Sequence, residues 1–211
     1  QMDDLTKNQS TPARQQILEV AQDAVLAKGF SATSIDELIA AVGISKSGFF
    51  YHFRDKTQLA KALLEKYVED EKIIFDEICT RADELSEDPL HNFLIVLKML
   101  AEVFADIPNG HPGCMVASIC YHEQLFDRNV RERNSEAVLA WRSRFRQRLE
   151  RIEEKYPPRI DINLDDLADM LSVVADGGII LSKATNDAQS LPRQLLLYRD
   201  FVKLVYLADP A

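Results

Sequence analysis

Between Ser34 and Ser45 the chain carries two helix starts with one glycine between them, which leaves room only for a short helix and a tight turn. Ser34 followed by Glu37 is a capping-box pattern, a hydroxyl for a free amide and an acid to reach back. Ile35, Leu38, Ile39 and Val42 recur at helical spacing and form one apolar face. Gly43 supplies the left-handed backbone on which helices commonly stop. Ile44 then packs, and Ser45 caps a third short helix reaching His52 or Phe53.

The same signals divide the rest of the chain. Thr11-Pro12 opens a first helix that ends at Gly29, with Ile17, Val20, Ala21, Ala24 and Val25 on one side and Phe30 as an anchor. Asp55 and Gln58 open a long fourth helix, reaching about Leu85, with Leu59, Leu63, Tyr67, Ile74 and Ile78 inward. Asp88-Pro89 starts a fifth helix with an apolar face of Phe93, Val96, Leu97, Leu100, Val103 and Phe104. Two prolines and two glycines between Ile107 and Gly113 form a loop. Further helices are expected over 115–126, 129–155, 164–184 and 191–207. Strand alternation and hairpin signals are scarce, so the fold class is all-α with about nine helices.

Composition narrows the function. No apolar run approaches the roughly 18 residues of a membrane span, and the first ten residues are polar, unlike a signal peptide. Cys79, Cys114 and Cys120 form an odd set without CxxC spacing, and His91, His111 and His122 are scattered. A reduced cytoplasmic protein with no metal and no cofactor is expected. The net charge of −9 weighs against nucleic acid, yet residues 44–61 hold Lys46, Arg54, Lys56 and Lys61 against Asp55 alone. The acidic remainder disfavours loose contact with DNA elsewhere.

Two short helices joined by a glycine turn can hold the second in the major groove of DNA. The groove-facing end must then be small and polar, and here it reads Ser45-Lys46-Ser47-Gly48. Lys46 reaches guanine acceptors or a phosphate, Gly48 allows close approach, and the free amides suit phosphate oxygens. Phe49 and Phe53 are expected in the core, and Phe50 and Tyr51 toward DNA, with His52 and Lys56 along the phosphate edge.

Residues 12–60 resemble the DNA-binding domain of the TetR family. The resemblance is carried by Gly29-Phe30, Thr33-Ser34-Ile35, Gly43-Ile44-Ser45-Lys46, Phe49-Phe50-Tyr51-His52-Phe53 and Lys56. It implies phosphate contacts from Thr33 or Ser34, Ser45, Tyr51, His52 and Lys56, and base contacts from Lys46, Ser47 and Gly48. Phe50 replaces a common tyrosine, which removes one phosphate hydrogen bond, and Ile39 replaces a common alanine. The implied architecture is a helix-turn-helix head over residues 1–54 and a helical ligand-binding and dimerisation domain over 55–211. The implied function is a ligand-responsive regulator, a repressor released from a palindromic operator by a small molecule. Its partners are double-stranded operator DNA, that effector and a second copy of the chain, with no membrane.

Phe104, Cys114, Met115, Tyr121, His122, Phe126 and Trp141 mark the expected pocket, although each taken singly reads as core. Cys114 and Cys120 read as small buried hydrophobes or as thiol sensors; Cys114, after a Gly-Pro loop at a helix start, is the stronger candidate, or an enzyme nucleophile for which no histidine-acid partner is visible. Eight arginines between Arg128 and Arg151, interspersed with glutamates, read as a solvated face with ion pairs rather than a second nucleic-acid surface. Gly177-Gly178 within a helix costs roughly 1 kcal/mol per glycine and suggests close helix crossing at a dimer interface. That interface is expected to use Leu171, Val174, Gly177, Gly178, Leu181, Tyr198, Phe201, Val202 and Val205.

Overall fold

The computed structural model describes residues 11–207, and the polar start read for signal-peptide character lies outside them. Nine α-helices and one 3-10 turn make up the described chain, with no strand. They are α1 (Pro12–Lys28), α2 (Ile35–Val42), α3 (Lys46–His52), α4 (Lys56–Leu85) and α5 (Pro89–Ala105). After the loop come α6 (Met115–Tyr121), α7 (Arg128–Glu153), α8 (Leu164–Thr185) and α9 (Ser190–Tyr206). The chain forms two compact units: one holds residues up to Asp70 with Pro112–Glu136, the other Glu71–His111 with the chain from Ala137 onward.

The first unit is organised by capped ends. Thr11 Oγ1 accepts from the Arg14 amide, Ser34 Oγ from Glu37 and Ser45 Oγ from Gly48. Asp55 and Gln58 form a reciprocal box: the Asp55 carboxylate accepts the Gln58 amide at 2.8 Å and the Gln58 side chain accepts the Arg54 amide at 2.7 Å. Ile17, Leu18, Ala21, Val25 and Leu26 form the buried stripe of α1, so Val20 and Ala24 lie at its margin.

The helix expected over 115–126 is shorter. It stops at Tyr121, a 3-10 turn covers Glu123–Leu125, and Phe126 is extended so that its ring meets Phe30 edge-on at 4.8 Å. The turn places His122 against Gly29. Asp127 then caps α7 by accepting the Val130 amide at 3.0 Å.

In the second unit α9 packs against both α5 and α8. Tyr198, buried, donates its hydroxyl to the Leu167 carbonyl at 2.8 Å. Arg128 and Arg133 make the expected ion pairs on an exposed face of α7, with Glu132 and Glu136, whereas four other arginines bridge helices. Arg142 makes a two-pronged pair with Asp169, Arg146 reaches Asp165 and Glu150, and Arg144 pairs with Asp76. Arg148 donates to Asn92 Oδ1 at 2.6 Å. In α4, Ile74 is exposed and Phe75 takes the inward place, edge-on to Phe145 at 5.2 Å.

Gly178 is where two helices of one chain touch. A Cβ there would lie 2.8 Å from Leu191 Cδ1 and 3.0 Å from Leu191 Cα, whereas one on Gly177 would meet nothing within 4 Å. Backbone cannot yield as a side-chain tip can. Gly178→Ala is therefore expected to cost about 1–3 kcal/mol by overpacking, outweighing roughly 1 kcal/mol of gained helix propensity. A thermal melt checks this, and a midpoint at or above wild type would refute the tight crossing.

Candidate nucleic-acid interface

Gly43 adopts the left-handed conformation, φ 76° and ψ 34°, and closes α2 by donating its amide to Ile39. Leu38, Phe49 and Phe53 are buried beneath the turn. Phe49 packs edge-on to Phe50 at 5.5 Å and tilted against Phe53 at 5.9 Å. The Arg14 guanidinium covers the Phe53 ring 5.0 Å from its centroid. With its inner residues so fixed, α3 turns Lys46, Ser47, Phe50 and Tyr51 outward, and Tyr51 is 69% exposed.

Ser45 is spent as a cap and also lies 3.1 Å from the Ser47 hydroxyl. A Cβ on Gly48 would approach the capping Ser45 Oγ to 3.2 Å, so this glycine keeps both the cap and the outer surface clear. Ser34 is exposed and caps α2.

Two residues expected at phosphates have partners in the backbone of the turn after α1. Thr33 is only 1% exposed, and its hydroxyl donates to the Gly29 carbonyl at 2.8 Å, so its side chain faces inward. Lys56 is half-buried with its ammonium donating to the Phe30 carbonyl, and burial lowers its pKa. Both side chains donate to backbone carbonyls of the turn that follows α1. His52 is half-buried, its pKa lowered by burial and then by the Arg14 charge. Arg54, with its side chain 84% exposed beside Asp55, is an outward cation that the motif reading did not assign. Arg14, distant in sequence from the residues it covers, gave no local signal.

The expected pocket residues are divided between the two compact units. Phe104 and Trp141 belong to one compact unit, and Cys114, Met115, Tyr121, His122 and Phe126 to the other. Met115 is fully buried and Phe126 is taken by Phe30, while Tyr121 is exposed. His122 Nδ1 lies 3.0 Å from the Ser118 carbonyl oxygen. Phe104 stacks edge-on with His111, whose pKa is lowered to about 4 by burial and then by Lys183. Cys114 is buried and its side chain makes no capping bond to α6. Of the expected dimer residues, Leu171, Gly178, Tyr198, Val202 and Val205 are buried within the chain; Val174, Gly177 and Phe201 are half-buried and Leu181 is exposed. The outward apolar face instead carries Val173, Ile180 and Leu181 on α8 and Leu197 and Leu204 on α9.

Among the described residues no group of three His, Cys, Asp or Glu side chains could hold a metal ion, and no helix is long and apolar enough to cross a membrane. A glycine-turned pair of short helices with a polar, outward N-terminal end on the second defines a helix-turn-helix.

Residues 17–63 match the family described as bacterial regulatory proteins, tetR family. The HTH-type transcriptional regulator TtgR of Pseudomonas putida is 26% identical over 137 residues, 64% of this chain and 62% of TtgR. The chain thus spans about three-fifths of the length of that relative. The HTH-type transcriptional repressor DhaR of a Mycobacterium species is 22% identical over 185 residues, 88% of this chain and 89% of DhaR. A crystal structure of a TetR transcriptional regulator from Chloroflexus aurantiacus shares the fold, with a TM-score of 0.76 and 22% identity over 96% of this chain and 100% of that one. Residues 17–63 thus carry a tetR-family DNA-binding domain, and the chain as a whole shares the fold of TetR regulators.

Proposed function

We propose that the protein is a homodimeric repressor that reads a palindromic operator through α3 and leaves it when a small molecule binds. The observation that carries the reading is the exposed Lys46-Ser47 end of a helix whose other side is fixed by Phe49 and Phe53. Lys46 and Ser47 contact bases, Gly48 admits the backbone, and Ser34, Ser45, Tyr51, His52 and Arg54 contact phosphates. The likeness to DhaR, which is named a repressor, favours repression over activation. Effector release rests on the family resemblance alone. The protein acts in the cytoplasm, where its operator lies, and performs no catalysis. The head is proposed to span residues 1–54, and residues 55–211 to form the ligand-binding and dimerisation part.

A gel-shift on the DNA upstream of the protein's own gene, with a salt series, tests the reading; a steep loss of affinity with salt is expected. Lys46→Ala is expected to weaken operator binding by about 1–3 kcal/mol and to relax base preference, with the melting temperature unchanged. Unchanged affinity and selectivity would remove Lys46 from the readers.

A further inference from the structure

The three thiols differ in access. Cys79 and Cys114 are buried, and burial raises the Cys79 thiol pKa against the pull of Arg148 and Arg144. Cys120, in the last turn of α6, is exposed. Its Sγ accepts a hydrogen bond from Asn134 Nδ2 of α7 at 3.2 Å, and the same amide nitrogen donates to the Val116 carbonyl at 3.2 Å. Asn134 is 6% exposed, and its Oδ1 has no protein donor. The amide cannot be reversed to relieve this, because an oxygen would then face the Val116 carbonyl oxygen. A buried acceptor left empty is costly and calls for a specific reason.

We propose that Cys120 is a peroxide-modification site whose sulfenic acid is held by the Asn134 amide. The Cys120 sulfur, as thiolate, attacks the protonated terminal oxygen of a hydroperoxide. The S–O bond forms as the O–O bond breaks. The departing alkoxide takes up the proton released by the thiol and leaves as an alcohol, or as water when the oxidant is hydrogen peroxide. Sulfur loses two electrons and the peroxide gains them. The new S–O–H group is a donor where the thiol was a poor one, and Asn134 Oδ1 is the acceptor for it, while Nδ2 remains a donor to the sulfur or its oxygen. Exposure admits the oxidant, and the buried amide retains the first oxidation product against further steps.

The test is made on the full chain with one equivalent of hydrogen peroxide and a dione that traps sulfenic acids, followed by peptide mapping. The expected result is an adduct on Cys120 ahead of Cys79 and Cys114, absent in Cys120→Ser. In Asn134→Leu the trapped fraction should decay about tenfold faster, the worth of one hydrogen bond. First modification at Cys79 or Cys114, no sulfenic adduct in the wild-type protein, or an equal lifetime in folded Asn134→Leu would overturn the proposal. The wild-type order of modification decides the matter even if losing the Val116 contact prevents that variant from folding. None of these readouts depends on DNA binding, so failure here leaves the operator reading untouched, and the reverse.

Discussion

Replacing Ile180 and Leu204 together by glutamate is expected to make the protein a monomer and to lower its operator affinity by roughly 100-fold or more, because engaging two half-sites with joined heads multiplies affinity by about 10²–10⁴. Val173, Ile180, Leu181, Leu197 and Leu204 are between 45% and 67% exposed on two helices that pack together. Five such side chains from each copy, each gaining about half of the roughly 1.5–3 kcal/mol of full burial, are of the order needed to offset the approximately 4–15 kcal/mol cost of association. A patch of this kind on a lone chain would be a liability. Both side chains are more than half exposed within the chain, so the melt should remain cooperative. Sedimentation at micromolar concentration reads the outcome. A variant that stays dimeric would exclude this face as the interface, and a wild-type protein that is already monomeric would exclude the dimer.

Periodicity made α8 and α9 legible as helices with apolar residues on more than one side, but not which side the chain uses itself. Leu171, Tyr198, Val202 and Val205 were expected between copies and are core; Leu197 and Leu204 face out. The choice depends on the angle at which α8 crosses α9, set by Gly178 against Leu191, which no local pattern encodes. Helix starts were legible because a cap is a local chemical event, and Thr11, Ser34, Ser45, Asp55 and Asp88 all accept amide hydrogen bonds as their spacing required. The end of α6 was not, because what draws Phe126 out of helical geometry is Phe30, remote in sequence. Thr33 and Lys56 were expected at phosphates, and each donates to a backbone carbonyl of the turn after α1. A motif fixes residue types and spacing; it does not say which polar neighbour a side chain meets first.

Phe49→Ala is expected to abolish operator binding, although Phe49 itself touches no DNA in the proposed complex. The side chain is fully buried, and truncating a core phenylalanine costs about 3–5 kcal/mol. The loss falls on a helix of seven residues, too short to be stable alone, since isolated helices below roughly 12–15 residues are marginal in water. Phe53 and the Arg14 guanidinium above it lose their support as well, and with them the fixed direction of Lys46. The second compact unit shares none of these contacts, so its helices should survive. Circular dichroism should therefore show a new low-temperature step of small amplitude, followed by the main transition. Phe50→Ala is the control: that ring is 40% exposed, so its removal should leave the melt nearly intact and weaken DNA binding only modestly. If Phe49→Ala bound the operator with wild-type affinity, α3 would not depend on the buried side of the turn, and its role as a rigidly presented reader would fail.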